Sequence, residues 1–215
     1  MRPARDVILQ QLGISHLGSV RCVILLDLEF TCWESSLREN WSDPARPPEV
    51  IEIAMASYDV RRDHVIDRFS SFVRPRVNPV LSAYCKDLVR VSQETIDEAP
   101  PLADVNGQAG HWLAGYSLAR DPTCAWGFND RLFLAEDAKR SRCVDPLLGR
   151  PHLDLRCLTR DLLGSPGSPD ATYDRDAVRA GLGLSPNPER HRAMADALDL
   201  IQFLRALRQH PLSQA

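Results

Sequence analysis

The sequence predicts an α/β domain in which helices pack on a mixed β-sheet. Three observations carry that reading. The first part of the chain holds three strand-like segments, and the connection "RRD" (61–63) is short enough to join the second and third as a hairpin. Short apolar strand candidates then alternate with helical segments. Near the C-terminus Ala197, Leu200, Ile201, Leu204 and Leu207 recur at three- and four-residue steps, the pattern of a helix with one buried stripe. At 215 residues and 44% hydrophobic, the chain suits one medium domain with a single core.

Residues 1–19 read as a short N-terminal extension, and 20–210 as the domain. The first strand is 20–31, where "VILLDLEF" is an apolar run interrupted only by acids. Residues 34–48, "ESSLRENWSDPARPP", are polar and proline-rich and read as a loop. "EVIEIAMASYDV" (49–60) and "HVIDRFSSFVRP" (64–75) alternate in part and are rich in β-branched residues, as paired strands are. "LSAYCKDL" and "SQETIDEA" read as short helices, the second opened by Ser92 as N-cap. Residues 101–118 are helical, 123–128 a short strand, 130–142 a helix, and 152–164 a strand entering a helix that ends at Gly164. "GSPGSPDAT" (164–172) is a flexible loop. The last helix is expected to start at Asn187 as cap, with Pro188 in its first turn.

Composition removes several classes. No apolar stretch approaches the roughly 18 residues that span a bilayer, and the arginine-containing N-terminus is a poor secretory signal. The expectation is a soluble cytoplasmic protein with no membrane partner. The six cysteines include no C-x-x-C pair, so a zinc knuckle is not indicated, and buried reduced thiols are expected. A net charge of −3 is not that of a tight nucleic-acid binder. It leaves room for an enzyme that meets nucleic acid through a local basic rim and bound cations.

The chemistry starts at Asp27 and Glu29. Side chains at i and i+2 of a strand share a face, roughly 6–7 Å apart along its axis. Two ionised carboxylates among Leu26, Leu28 and Phe30 are costly to desolvate and repel each other. A hard divalent cation removes both problems. Taken alone, the pair fits an exposed strand edge equally well. Asp130 in "WGFND" sits at a helix start, where an acid also suits the helix dipole. "HRAMAD" places His191 and Asp196 together near the start of the last helix. Each element is weak alone; the ordered set is more informative.

"DLEFTCW", "WGFND" and "HRAMAD", in this order and spacing, resemble the DnaQ-like 3′–5′ exonucleases of the DEDDh type. "EVIEIAMASYDV" and "FSSFVRPRVNPVLSAYCKDLVRVSQETIDEAPPL" are similar to the Eri-type exoribonuclease branch in particular, and "HLDLRCL" resembles a segment that branch places before its next helix. The likeness runs over about 20–208. It implies an RNase H-like mixed sheet with helices on both faces. One motif departs: the branch usually has W-G-D-aromatic-Asp, whereas Phe128 and Asn129 precede Asp130 here. The acid is kept, and what changes is the surface beside it.

The resemblance implies two Mg²⁺ or Mn²⁺ ions held by Asp27, Glu29, Asp130 and Asp196, with His191 taking the proton from the attacking water. Two such ions activate water, neutralise the phosphate and stabilise the leaving 3′ oxygen, and an imidazole with a pKa near about 6.5 suits general-base work. The expected substrate is a nucleic acid, RNA more than DNA, shortened at a single-stranded 3′ end to nucleoside 5′-monophosphates. The RNA preference rests on the resemblance alone. Phe30 and Thr31 are expected to meet the terminal nucleotide, Leu88 and Val91 its neighbouring bases, and Trp33 to stack. Leu88 and Val91 fit a core role equally well.

Two other classes fit the residues less well. A phosphatase with Asp27 as nucleophile would want a lysine followed by an acidic pair, and neither Lys86 nor Lys139 supplies it. A binding module that kept the fold gains nothing from four converging carboxylates. The residues themselves name no protein partner.

Overall fold

The computed structural model describes residues 22–163 and 175–209. The expected N-terminal extension (1–19) and flexible loop (164–172) lie outside the described residues. Strand β1 (Val23–Phe30) is central. It pairs antiparallel with β2 (Val50–Asp59), which forms a hairpin with β3 (His64–Phe72). Its other edge runs parallel to β4 (Thr123–Ala125), which pairs parallel with β5 (His152–Asp154). The sheet is therefore mixed and five-stranded, in the order β3-β2-β1-β4-β5.

The helices follow in chain order as α1 (Ser36–Glu39), α2 (Ala83–Val89), α3 (Gln93–Asp97), α4 (Leu102–Tyr116), α5 (Asn129–Arg140), α6 (Leu155–Leu163), α7 (Arg175–Gly181) and α8 (Ala193–Gln209). Ser92 caps α3 as the sequence predicts, its side chain accepting from the Thr95 N–H. Cys22, Cys32, Cys85 and Cys124 are buried, and all six cysteines are free of disulfides.

The apolar run of β1 is explained by burial on both faces. Ile24, Leu26 and Leu28 pack with Leu102, Val105 and Leu113 of α4 and Leu134 of α5. Val23 and Leu25 point the other way, into a cluster with Leu158 of α6, Val178 of α7 and Ala197, Leu200 and Leu204 of α8. Helices thus cover both faces. By strand parity, Asp27 and Glu29 belong to the α8 side, which brings the last helix to the acidic pair.

Two local expectations need correction, and one helix is additional. Residues 34–48 contain a helical turn, α1, closed by Asn40 in a left-handed conformation. Helix α7 was not anticipated, because its seven residues carry too short a pattern to show a period. Helix α8 begins at Ala193 rather than just after Asn187. His191 is left-handed, with φ 63°, which no helix interior tolerates. Glu52 of β2 accepts from the Ala193 N–H at 3.4 Å and pairs with Arg192 at 3.2 Å, fixing the start of α8 beyond it.

Phe203 of α8 is fully buried, with Trp126 at 4.9 Å between ring centroids. Phe203→Ala is expected to lower unfolding stability by about 3–5 kcal/mol, the range for a large buried ring left as a cavity. Urea denaturation monitored by tryptophan fluorescence measures it.

Candidate active site

The α8 face of β1 opens into a cleft of about 530 Å³ lined by Asp27, Glu29, Asp130, His191 and Asp196, among others. Each arrives on a different support. Asp27 and Glu29 are successive same-face positions of β1. Asp130 lies in the first turn of α5, and its carboxylate accepts from the Leu28 N–H at 3.2 Å, which ties that helix to β1. Asp196 lies in the first turn of α8, where the positive end of the helix dipole favours an acid. His191 sits in the turn before α8, and its N–H donates to Asp196 at 2.7 Å. Asn187 holds the other oxygen of Asp196 at 3.2 Å. The left-handed backbone at His191 is thus locked to the acid it accompanies.

Asp27, Glu29 and Asp196 each offer an oxygen, and these atoms lie within 4.8 Å of one another. Asp130 stands outside this triplet but close enough to act on its charge. Burial, then Asp130 and Glu29, push Asp27 well above the usual carboxylate range. Burial, then Asp196 and Glu52, do the same to Glu29. Burial raises Asp130 to about 7. Carboxylates that resist ionisation together are what a divalent cation compensates. An all-oxygen donor set with this spacing fits a hard ion such as Mg²⁺ or Mn²⁺. Burial, then Arg190, lower the pKa of His191, so its imidazole stays neutral further into the acid range.

The residues expected to touch substrate divide. Phe30, Trp33 and Leu88 line the cleft, with Trp41 and Tyr84. Phe30 is braced edge-on by Phe133 at 5.3 Å, and Trp33 carries the Arg46 guanidinium over its ring at 5.3 Å. Thr31 and Val91 lie outside that lining. Thr31 is 2% exposed; its hydroxyl donates to the Pro47 carbonyl at 3.1 Å and accepts from the Glu49 N–H at 3.0 Å, clipping the β1–β2 connection. Val91 packs with Cys32, Ile51, Cys85 and Ile96, the core role that its apolar character also allowed. Phe128, one of the departing residues, is 54% exposed and rests edge-on against His152 outside the cleft lining.

Sequence reasoning missed three residues that shape the site. Glu52, opposite Glu29 in the sheet register, anchors Arg192 and the start of α8. An acid interrupting the otherwise apolar strand "VIEIAM" was the available signal. Arg175 of α7 reaches Asp27 and Asp196, and Asp199 pairs with Arg175 and Arg179. Nothing in the sequence singled them out.

A mixed sheet with carboxylates from its central strand and two flanking helices, converging beside a histidine, defines the class of RNase H-like, metal-dependent nucleases. Within that class, the chain belongs to the RNase_T exonuclease family, whose model matches residues 24–204. It is 39% identical over 215 aligned residues to the 3′–5′ exonuclease eri1 of Schizosaccharomyces pombe, covering 87% of this chain and 68% of that protein. It is 28% identical over 156 residues to the 3′–5′ exonuclease Snipper of Drosophila melanogaster, covering 64% of this chain and 53% of the relative. Among solved structures, the nuclease domain of 3′hExo, a DEDDh family member, superposes with a TM-score of 0.78 at 20% identity, over 91% of this chain and 95% of that one. Exonuclease I superposes with a TM-score of 0.64 at 13% identity, over 90% of this chain and 42% of that one. The expected RNase H-like sheet with helices on both faces is therefore the observed fold. Among the described residues, no helix is long and apolar enough to cross a membrane.

Proposed function

We propose that this exonuclease removes nucleotides from the 3′ end of single-stranded RNA or 3′ overhangs and releases nucleoside 5′-monophosphates. The observation that carries the reading is the convergence of Asp27, Glu29 and Asp196 within 4.8 Å beside His191. Asp27, Glu29 and Asp196 would hold the first divalent ion, with Asp130 and Asp27 serving a second. The bound ions supply charge neutralisation of the phosphate and an acidified water. His191, half-buried and held by Asp196 through its backbone, would accept the proton from that water at a ring nitrogen. Phe30 and Leu88 offer an apolar floor for the terminal nucleotide, and Trp33 a stacking face. Preference for RNA is supported by relatives named as exoribonucleases, such as ERI1 exoribonuclease 2 of Danio rerio, 37% identical over 91 residues. That match covers 42% of this chain and 15% of the relative.

Digestion of 3′-tailed RNA and DNA oligomers of one sequence, each with Mg²⁺ and with Mn²⁺, tests the substrate class. Faster shortening of RNA supports it; equal or faster shortening of DNA overturns the RNA preference. Trp33→Ala is expected to weaken binding of a single-stranded 3′ end by about 1–3 kcal/mol, the loss of one base–aromatic stack. Fluorescence anisotropy with Ca²⁺ in place of Mg²⁺ reads that affinity without turnover.

A further inference from the structure

Arg175 is the one guanidinium among the described residues that reaches two of the clustered acids. Its Nη1 lies 3.6 Å from Asp27 Oδ1 and 3.3 Å from Asp196 Oδ1. Its Nη2 is tied down separately, donating to the Asp196 backbone carbonyl at 2.6 Å and to Asp199 at 3.1 Å. The guanidinium carbon lies 5.9 Å from the centroid of the Phe203 ring, and Arg175 is 10% exposed. Asp199 is itself held by Arg179. One end of the group is therefore anchored in α8, and the other faces the site.

We propose that Arg175 is a tethered cation that shares Asp27 and Asp196 with the incoming divalent ion, so that metal uptake is a partial exchange of cations rather than entry into an uncompensated acidic cluster. The inference rests on the metal-binding reading of that cluster. A guanidinium keeps its proton at every working pH, so the competing charge is always present. It draws together carboxylates that would otherwise repel, and keeps the cluster close to its metal-binding geometry. The same charge repels a divalent ion bound at the same two carboxylates. Arg175 thus stabilises the metal-free protein and weakens metal binding. It acts as a positioning residue and does not touch the scissile phosphate.

Calorimetric titration of Mn²⁺ into the full chain, without nucleic acid, tests this in wild type, Arg175→Gln, Arg175→Lys and Asp27→Asn. Arg175→Gln is expected to bind Mn²⁺ about tenfold tighter, the scale of one screened charge–charge interaction. Its melting temperature should be lower than wild type in EDTA, with the gap closing as Mn²⁺ is added. A lysine keeps the charge but lacks the fork that spans both anchor and acids. Arg175→Lys should therefore fall between the two, about threefold tighter than wild type. Loss of a purely structural arginine would loosen the site and weaken metal binding instead. Equal or weaker binding in Arg175→Gln overturns the inference, and if that variant does not fold, equal or weaker binding in Arg175→Lys does so. A wild-type protein that takes up no Mn²⁺ at a site abolished by Asp27→Asn overturns the metal reading itself.

Discussion

Asp27→Asn is expected to slow RNA shortening by roughly 10³-fold or more, about 4 kcal/mol of transition-state stabilisation, while raising the melting temperature measured in EDTA. Both effects have one cause. Asp27 is held well above the usual carboxylate range by burial and by Asp130 and Glu29, despite the opposing charge of Arg175. An acid whose folded pKa is raised binds its proton more tightly when folded. Its contribution to stability is complete below the unfolded pKa of about 3.9 and is lost as pH rises through the folded value. Above the unfolded value Asp27 therefore destabilises the metal-free fold increasingly as pH rises, and a neutral asparagine of the same shape removes that penalty. The stabilisation should grow from pH 5 to pH 8 in EDTA and reverse in excess Mn²⁺, where wild type gains binding energy that the variant lacks. Thermal denaturation under the four conditions reads it. A melting temperature that falls in EDTA at pH 8 would show that Arg175, rather than repulsion, dominates at Asp27.

His191→Ala is expected to lower the rate by about 10²- to 10⁴-fold, the usual contribution of a positioned general base, with Mn²⁺ affinity nearly unchanged because its side chain is not one of the clustered oxygens. The pH profile carries the finer statement. A base must be neutral to accept a proton, and burial and Arg190 both disfavour the imidazolium of His191. The acid limb of kcat/KM that belongs to His191 should therefore have its midpoint below the free-histidine value of about 6.5, and it should vanish in His191→Ala. The comparison needs saturating metal at each pH, because protons compete with cations for Asp27 and Glu29. Full activity in His191→Ala would assign the proton to another group.

The sequence made the candidate catalytic set legible through patterns that survive without coordinates. Parity put Asp27 and Glu29 on one face of a strand too apolar to carry them idly. The short spacing of His191 and Asp196 put them beside a helix start. Register then did what spacing could not: Val23 and Leu25 pack toward α8, so the odd positions that follow them must face it as well. The substrate-contact residues were less legible because an apolar side chain reads alike as core or as floor. Val91 turned out to be core, Leu88 lines the cleft, and Thr31 spends its hydroxyl on the backbone of Pro47 and Glu49. Arg175 was invisible for another reason. It is one arginine among many, on a helix of seven residues, and its meaning comes from the fold that sets it against Asp27 and Asp196. The late start of α8 was hidden because Asn187 and Pro188 look like an ordinary helix opening, whereas Glu52, far away in sequence, holds the actual one.

The most direct measurement follows 5′-end-labelled, single-stranded RNA through time with wild-type protein and Mg²⁺ or Mn²⁺, while the released nucleotides are identified chromatographically. The expected result is a ladder that recedes from the 3′ end, with nucleoside 5′-monophosphates as the only small products, stopped by EDTA and by Asp27→Asn. Internal cuts, 3′-monophosphate products or shortening that persists undiminished in EDTA would contradict it.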